Sequence, residues 1–218
     1  MPTCQAYTPG MFISFEGIDG CGKTTQAKRL VGALRRAAVP VIHTYEPGGT
    51  RLGRHLRQVL LDTRETAPTI RAEILLFAAD RAEHVETVIR PALTAGQMVV
   101  CDRFADSTRA YQGYGRQISA EVIEQSLQLA TQGLEPDLTF LLDLPVEMAV
   151  QRLRQRGSPV HRFEAAGLEF HHRVRAGFLA LAEQYPTRIR VIDATRSPND
   201  VHTAIWQVAA ARLTPPLL

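Results

Sequence analysis

The sequence predicts an α/β fold in which a parallel five-stranded sheet carries helices on both faces, and three observations predict it. Five short apolar runs, at residues 11–16, 39–45, 98–101, 138–142 and 189–192, have the length and residue content of buried strands. Stretches of helical periodicity lie between them. Gly and Pro punctuate the junctions. Strands that alternate with helices are joined by right-handed crossovers, which makes the sheet parallel and gathers ligands at the carboxyl ends of its strands.

The first run leads into the glycine-rich Gly17-Ile18-Asp19-Gly20-Cys21-Gly22-Lys23-Thr24 and then a helical pattern over residues 24–38. After the second run, Glu46-Pro47-Gly48-Gly49-Thr50 specifies a turn. Leu52, Leu56, Val59 and Leu60 then recur at helical spacing, and residues 69–95 form a longer predicted helix carrying Ile74, Leu75, Phe77, Ala78 and Val85, which stops at Gly96. Asp102 falls where the third run ends. A helix over 120–131 leads through Gly133 and Pro136 to the fourth run, and a last helix follows the fifth. No repeat, low-complexity segment or linker interrupts the pattern. Residues 11–212 are therefore expected to be a single domain, with residues 1–10 and 213–218, which contain Pro and little periodicity, as loose extensions.

Composition narrows the function. The formal charge of +3 is small and the basic residues are scattered, so nothing calls for nucleic acid. No apolar run approaches the roughly 18 residues of a membrane span, and the first ten residues lack the pattern of a secretory signal, so a cytoplasmic chain with no membrane partner is expected. Cys4, Cys21 and Cys101 are odd in number and widely separated, which reads as reduced thiols. His171 and His172, adjacent on a predicted helix, lack a metal-site pattern and are expected at the surface. Lys23 is one of only two lysines among 25 basic residues. A slim ammonium fits among phosphate oxygens where a guanidinium is too broad.

Residues 17–24 match the phosphate-binding pattern of two glycines five apart followed by Lys and Ser or Thr, between a strand and a helix. The glycines let backbone N–H groups turn inward around anionic oxygens, and the following helix aims its positive dipole end at them. Lys23 would bridge the β- and γ-phosphates of ATP and the Thr24 hydroxyl would ligate Mg²⁺. Gly17, Ile18, Asp19, Gly20, Cys21, Gly22, Lys23, Thr24 and Thr25 are thus the expected ATP-binding residues, Thr25 as ordinary helix. The loop specifies nucleotide binding and not the reaction, because switches, motors and kinases share it.

From about residue 12 to 195, several segments in order resemble the thymidylate kinase family. They are the loop with its acid Asp19, the 46–50 turn, Phe77 to Arg81 with four-residue spacing, Asp102-Arg103-Phe104, residues 107–112, the Arg-rich 152–164 and Ile192-Asp193-Ala194-Thr195. The resemblance implies a P-loop nucleoside monophosphate kinase fold with a short lid at about 152–165. It implies Mg²⁺- and ATP-dependent phosphorylation of dTMP to dTDP, and a homodimer packed through helices. It gives Arg103 the acceptor phosphate, and Phe77 and Arg81 the thymine, which they can face together from one helix. Pro47 would pack on the base, Thr108, Tyr111 and Gln112 would contact base edge and sugar, and Asp19 would lie near the 3′-hydroxyl and phosphates.

Asp102 could orient water on Mg²⁺ or cap its strand, and Glu164 could join the metal shell or pair with a lid Arg. The loop holds no Arg, which resembles the bacterial-type variant whose lid supplies the catalytic guanidinium. Arg154, Arg156 and Arg162 are the catalytic candidates with Lys23 and Arg103, and Arg152 and Ala194 are assigned to ATP. His161 stands where the family usually has Asp, Cys21 where it has Ala or Ser, and the first ten residues have no counterpart. Two rivals remain: a kinase of another nucleoside monophosphate or a deoxynucleoside, and a nucleotide-dependent switch, although the Asn-Lys-x-Asp of guanine switches is missing.

Overall fold

The structure, a computed structural model, describes residues 10–62, 67–157 and 161–213, the side chain of Arg156 excepted. The expected loose ends therefore lie outside the described residues apart from Gly10 and Leu213, as do residues 158–160 of the expected lid. Strands β1 (Phe12–Glu16), β2 (Val41–Tyr45), β3 (Met98–Asp102), β4 (Leu138–Asp143) and β5 (Ile189–Asp193) form one sheet. All its pairings are parallel, in the order β2-β3-β1-β4-β5. β1 and β3 are buried throughout because helices cover both faces, so they read as continuous apolar runs, whereas the edge strand β5 is partly exposed. The second strand starts at Val41 and not at residue 39. Ala38 turns left-handed at φ 56° and Val39 N–H closes back onto Leu34 O at 3.0 Å, so these residues end the preceding helix.

Helices α1 (Lys23–Arg36), α2 (Arg51–Leu61) and α3 (Ile70–His84) follow the predicted periodicities. Thr50 caps α2 by accepting from Gly53 N–H at 2.9 Å. α3 runs through a π-helical turn, Val85–Ile89, into α4 (Arg90–Thr94), so the helix expected over 69–95 is one run with a widened turn inside it. After β3 comes a short α5 (Ala105–Thr108) and a π-helical stretch, Arg109–Gly115. Helices α6 (Ala120–Thr131), α7 (Val146–Arg156), α8 (Leu168–Gln184) and α9 (Pro198–Ala210) complete the chain.

Two apolar clusters flank the sheet. One contains Ile13, Phe15, Leu30, Phe140 and Ile205, the other Phe12, Ile89, Val99, Phe104 and Ile123. The surface placement expected of His171 is corrected: it is buried at 4 % exposure beside Phe170, because α8 packs against the 109–115 stretch along this face. His172, on the other side, is exposed and lies 3.2 Å from Glu147. Among the described residues no helix is long and apolar enough to cross a membrane.

Candidate active site

The carboxyl ends of β1 and β3 lie level, since Phe15 pairs with Asp102 in register. Out of β1, Gly17, Gly20 and Gly22 take φ values of 133°, 84° and 100°. A Cβ at Gly17 would come within 2.6 Å of Leu142 O, and at Gly20 within 2.7 Å of Ala149 O, so the loop needs glycine at both. The Lys23 ammonium folds back within the loop, donating to Ile18 O at 2.9 Å, with Cys21 Sγ 3.7 Å away. Ile18 and Cys21 are buried and shape the loop from behind, and burial pushes the Cys21 thiol up, which keeps it neutral. At the start of α1, the Thr24 hydroxyl donates to Asp102 Oδ2. Asp102 Oδ1 is buried and has no hydrogen-bond partner among the described residues.

A cleft of about 960 Å³ runs from this loop across the sheet edge. Gly20, Gly22, Lys23, Thr24, Thr25 and Arg152 line it, together with Pro47, Phe77, Arg81, Thr108, Tyr111 and Gln112, and Asp19, Asp102 and Arg103 are also among its walls. The Arg103 guanidinium donates to Gly17 O at 3.0 Å, Ser107 Oγ at 2.9 Å, Asp19 Oδ1 at 2.6 Å and Tyr111 Oη at 3.1 Å. Burial pushes the Asp19 carboxyl up, but the Arg103 guanidinium, helped by Lys23, outweighs it and holds Asp19 below the usual carboxylate range. Behind Arg103, Glu16 accepts from Phe104 N–H at 2.7 Å and from the Ser107 hydroxyl at 2.6 Å. Burial, aided by Asp106 and opposed by Arg103, raises the Glu16 carboxyl to about 7.

Arg81, 2 % exposed, donates to Glu46 Oε2 at 2.8 Å, Thr108 Oγ1 at 2.9 Å and Phe104 O at 3.1 Å. His84 Nδ1–H donates to the other Glu46 oxygen at 2.8 Å. Glu46 is thus the anchor of a buried cation on α3. Phe77 is half-buried and its ring lies 5.9 Å from that of Phe163, which also lies 5.9 Å from the ring of Tyr111.

The predicted lid residues separate. Arg152 lines the cleft and donates to Ala194 O at 3.1 Å; Ala194 itself is buried and lends only this carbonyl. Arg154 is exposed on α7 and does not line the cleft, and the side chain of Arg156 lies outside the described residues. Arg162 turns to the end of α2, donating to Leu60 O at 3.1 Å, and its Nη2 lies 3.0 Å from Glu73 Oε2 without the alignment of a hydrogen bond. Glu164 faces His161 at 3.2 Å, and these two with Asp19 bring one ligand atom each within 4.8 Å of one another. Glu164 therefore sits with Asp19 and His161, while Thr24 and Asp102 form a separate pair. Glu16, Glu46, Glu73 and Phe163 escaped the sequence-based selection of site residues. Glu46 and Phe163 stood inside the motifs that carried the resemblance; Glu16 and Glu73 offered no signal that separates a buried carboxylate from a surface one.

A lysine-bearing phosphate loop that shares one cleft with Arg81 and Arg103, at the carboxyl ends of a parallel sheet, is the arrangement of a nucleotide-dependent phosphotransferase. The sequence profile of the thymidylate kinase family matches residues 15–205. The thymidylate kinase of Trichlorobacter lovleyi is 48 % identical over 212 residues, 95 % of this chain and 100 % of that protein. That of Gloeobacter violaceus is 55 % identical over 186 residues, 84 % and 87 % of the two chains. A crystal structure of thymidylate kinase from Ehrlichia chaffeensis superimposes with a TM-score of 0.76 at 37 % identity, covering 92 % of this chain and 100 % of the other. The chain belongs to the thymidylate kinase family.

Proposed function

We propose that this chain transfers the γ-phosphoryl group of ATP directly to the 5′-phosphate of dTMP, yielding dTDP and ADP. An acceptor phosphate oxygen forms the new bond to γ-phosphorus as the bond to the β–γ bridging oxygen breaks, so catalysis is mainly positioning and charge neutralisation. The observation that carries the reading is that Lys23 and Arg103 line one cleft with Asp19, each held by fixed contacts. Lys23 serves the β- and γ-phosphates within the loop of residues 17–24. Arg103 takes the acceptor phosphate: its four terminal N–H groups donate to Gly17 O, Ser107 Oγ, Asp19 Oδ1 and Tyr111 Oη, and the phosphate exchanges with part of that set.

Mg²⁺ fits the corner where the Thr24 hydroxyl meets Asp102, because both are hard oxygen donors and Asp102 Oδ1 is buried without a hydrogen-bond partner among the described residues. Thr24 and Asp102 would hold it, directly or through water, and bound there it would neutralise phosphate charge. Glu164 stands beside His161 and Asp19, on the Asp19 side of the cleft. Arg154 and Arg156 on α7 and Arg162 remain the candidates for a guanidinium at the moving phosphoryl group, and Arg152, which lines the cleft, is kept for ATP. Arg162 lies against the end of α2 and Glu73, where it also holds the His161–Glu164 segment in place.

On the acceptor side Phe77 and Pro47 take the faces of the base and Arg81 its edge. Arg81 is preorganised by Glu46, Thr108 and Phe104 O, so little ordering is left for the moment of binding. Tyr111 and Asp19 would meet the sugar. Two copies of the chain are expected to pair through α2, α3 and α6. The test is acceptor choice: with ATP and Mg²⁺, kcat/KM for dTMP should exceed that for dCMP, dGMP and AMP by roughly a hundredfold or more, by the logic of a site built around one base. Comparable rates with any of these, or ATP hydrolysis without an acceptor preference, would overturn the reading.

A further inference from the structure

Glu73 lies in the first turn of α3 and is 1 % exposed, one helical turn before Phe77 and two before Arg81. It collects three partners from two other segments. Its Oε1 accepts from Gln112 Nε2 at 2.8 Å, and its Oε2 lies 3.0 Å from Arg162 Nη2 and 3.4 Å from Arg116 Nη2. The Gln112 contact has a chemical consequence. An amide in isolation can present either its oxygen or its NH₂ to a ligand, but an ionised carboxylate can only accept. Glu73 faces Arg162 and Arg116 with one oxygen and accepts from the Gln112 NH₂ with the other, which leaves the Gln112 Oε1 as the end for a ligand. Gln112 is 2 % exposed and lines the cleft.

We propose that Glu73 is a positioning residue for base choice: by fixing the Gln112 amide, it makes the cleft wall an acceptor that matches a ring N–H. A pyrimidine-2,4-dione such as thymine carries such a donor at N3, whereas cytosine presents a bare acceptor there, which would face Oε1 lone pair to lone pair. A site whose buried polar group is left unpaired rejects the wrong ligand far more strongly than an apolar wall does. Through Arg162, the same carboxylate also ties down the segment bearing Phe163, whose ring packs on Phe77. The inference rests on the proposed dTMP reaction.

The experiment compares kcat/KM for dTMP and dCMP in the wild-type chain, in Glu73→Gln and in the paired variant Glu73→Gln with Gln112→Glu. In Glu73→Gln two amides face each other and either can turn, so the dTMP-to-dCMP ratio should fall about tenfold while the KM for ATP stays within about twofold. In the paired variant the amide at 73 donates to a carboxylate at 112, which again offers only an acceptor, so most of the ratio should return. A merely structural role would lower both acceptors alike and would not be rescued by the exchange; an unchanged ratio in a folded Glu73→Gln protein overturns the proposal. Glu73→Asp keeps the charge beside Arg116 and Arg162 but withdraws the acceptor from Gln112, so it should lose the same discrimination, and it serves if Glu73→Gln does not fold. A wild-type chain with no preference for dTMP would instead sink the functional reading beneath it.

Discussion

Arg103 sits at φ 75°, left-handed backbone that a side chain with a Cβ adopts at a cost of about 1–2 kcal/mol. Its surroundings fix that geometry. Arg103 N–H donates to Phe15 O at 3.0 Å, the next N–H goes to Glu16, and four acceptors hold the guanidinium. The result is a fork whose position is set before an anion arrives, which is where positioning contributes to rate. Replacing Arg103 by Ala should raise the KM for dTMP at least tenfold and lower kcat, and Arg103→Lys should recover little because an ammonium cannot keep the four planar contacts that hold the guanidinium in place. Lys23→Ala should lower kcat by roughly a hundredfold or more with a smaller change in dTMP affinity. Steady-state kinetics on both substrates, with thermal midpoints to show that the variants fold, check these outcomes; a near-normal rate in either Ala variant sinks the role assigned to it.

Elements meet at Glu16, which ends β1 and ties down the turn from β3 into α5. Its carboxyl is raised, so between about pH 4.5 and 7 the folded chain keeps a proton that the unfolded chain has released. Stability therefore falls as pH rises through that window and levels off above it. Asp80, raised by burial and by Glu46 to about 6, acts in the same direction at lower pH, while His43 and His161, lowered by burial, act against both. The difference between wild type and Glu16→Gln isolates Glu16: chemical denaturation at pH 6 and pH 7 should show the wild type losing on the order of 1 kcal/mol more than the variant. Equal losses would place Glu16 at an ordinary carboxylate value. Most elements were legible in the sequence because buried parallel strands are unbroken apolar runs and the phosphate loop requires glycine at fixed positions. The stretch 105–115 was not: its π-helical turns break the 3.6-residue period that betrays a helix. The site divided the same way. Lys23, Arg103, Phe77 and Arg81 stand in motifs, but that Arg162 faces Glu73 and not the phosphate loop depends on contacts about ninety residues apart in the chain.

At the scale of the whole molecule, α3 joins the cleft to the outer surface. Phe77 and Arg81 line the cleft from one side of it, while Leu75 on another side is 61 % exposed. α3 packs between α2 and α6, which expose Leu52 and Val59, and Val122 and Leu129, each pair seven residues and hence two turns apart. Single exposed apolar residues are ordinary, but a set drawn from three neighbouring helices is what pairing of two chains would cover. Burying Leu75 in such an interface would also brace α3 from behind Phe77 and Arg81, which line the cleft. Leu75→Glu should therefore do two things at once: shift the chain to a monomer in sedimentation velocity, and raise the KM for dTMP several-fold while that for ATP stays within about twofold, because the phosphate loop is carried by β1 and α1. A wild-type chain that sediments as a monomer, or a variant that stays paired, would remove this surface from the assembly; a variant that dissociates with an unchanged KM for dTMP would separate pairing from base binding.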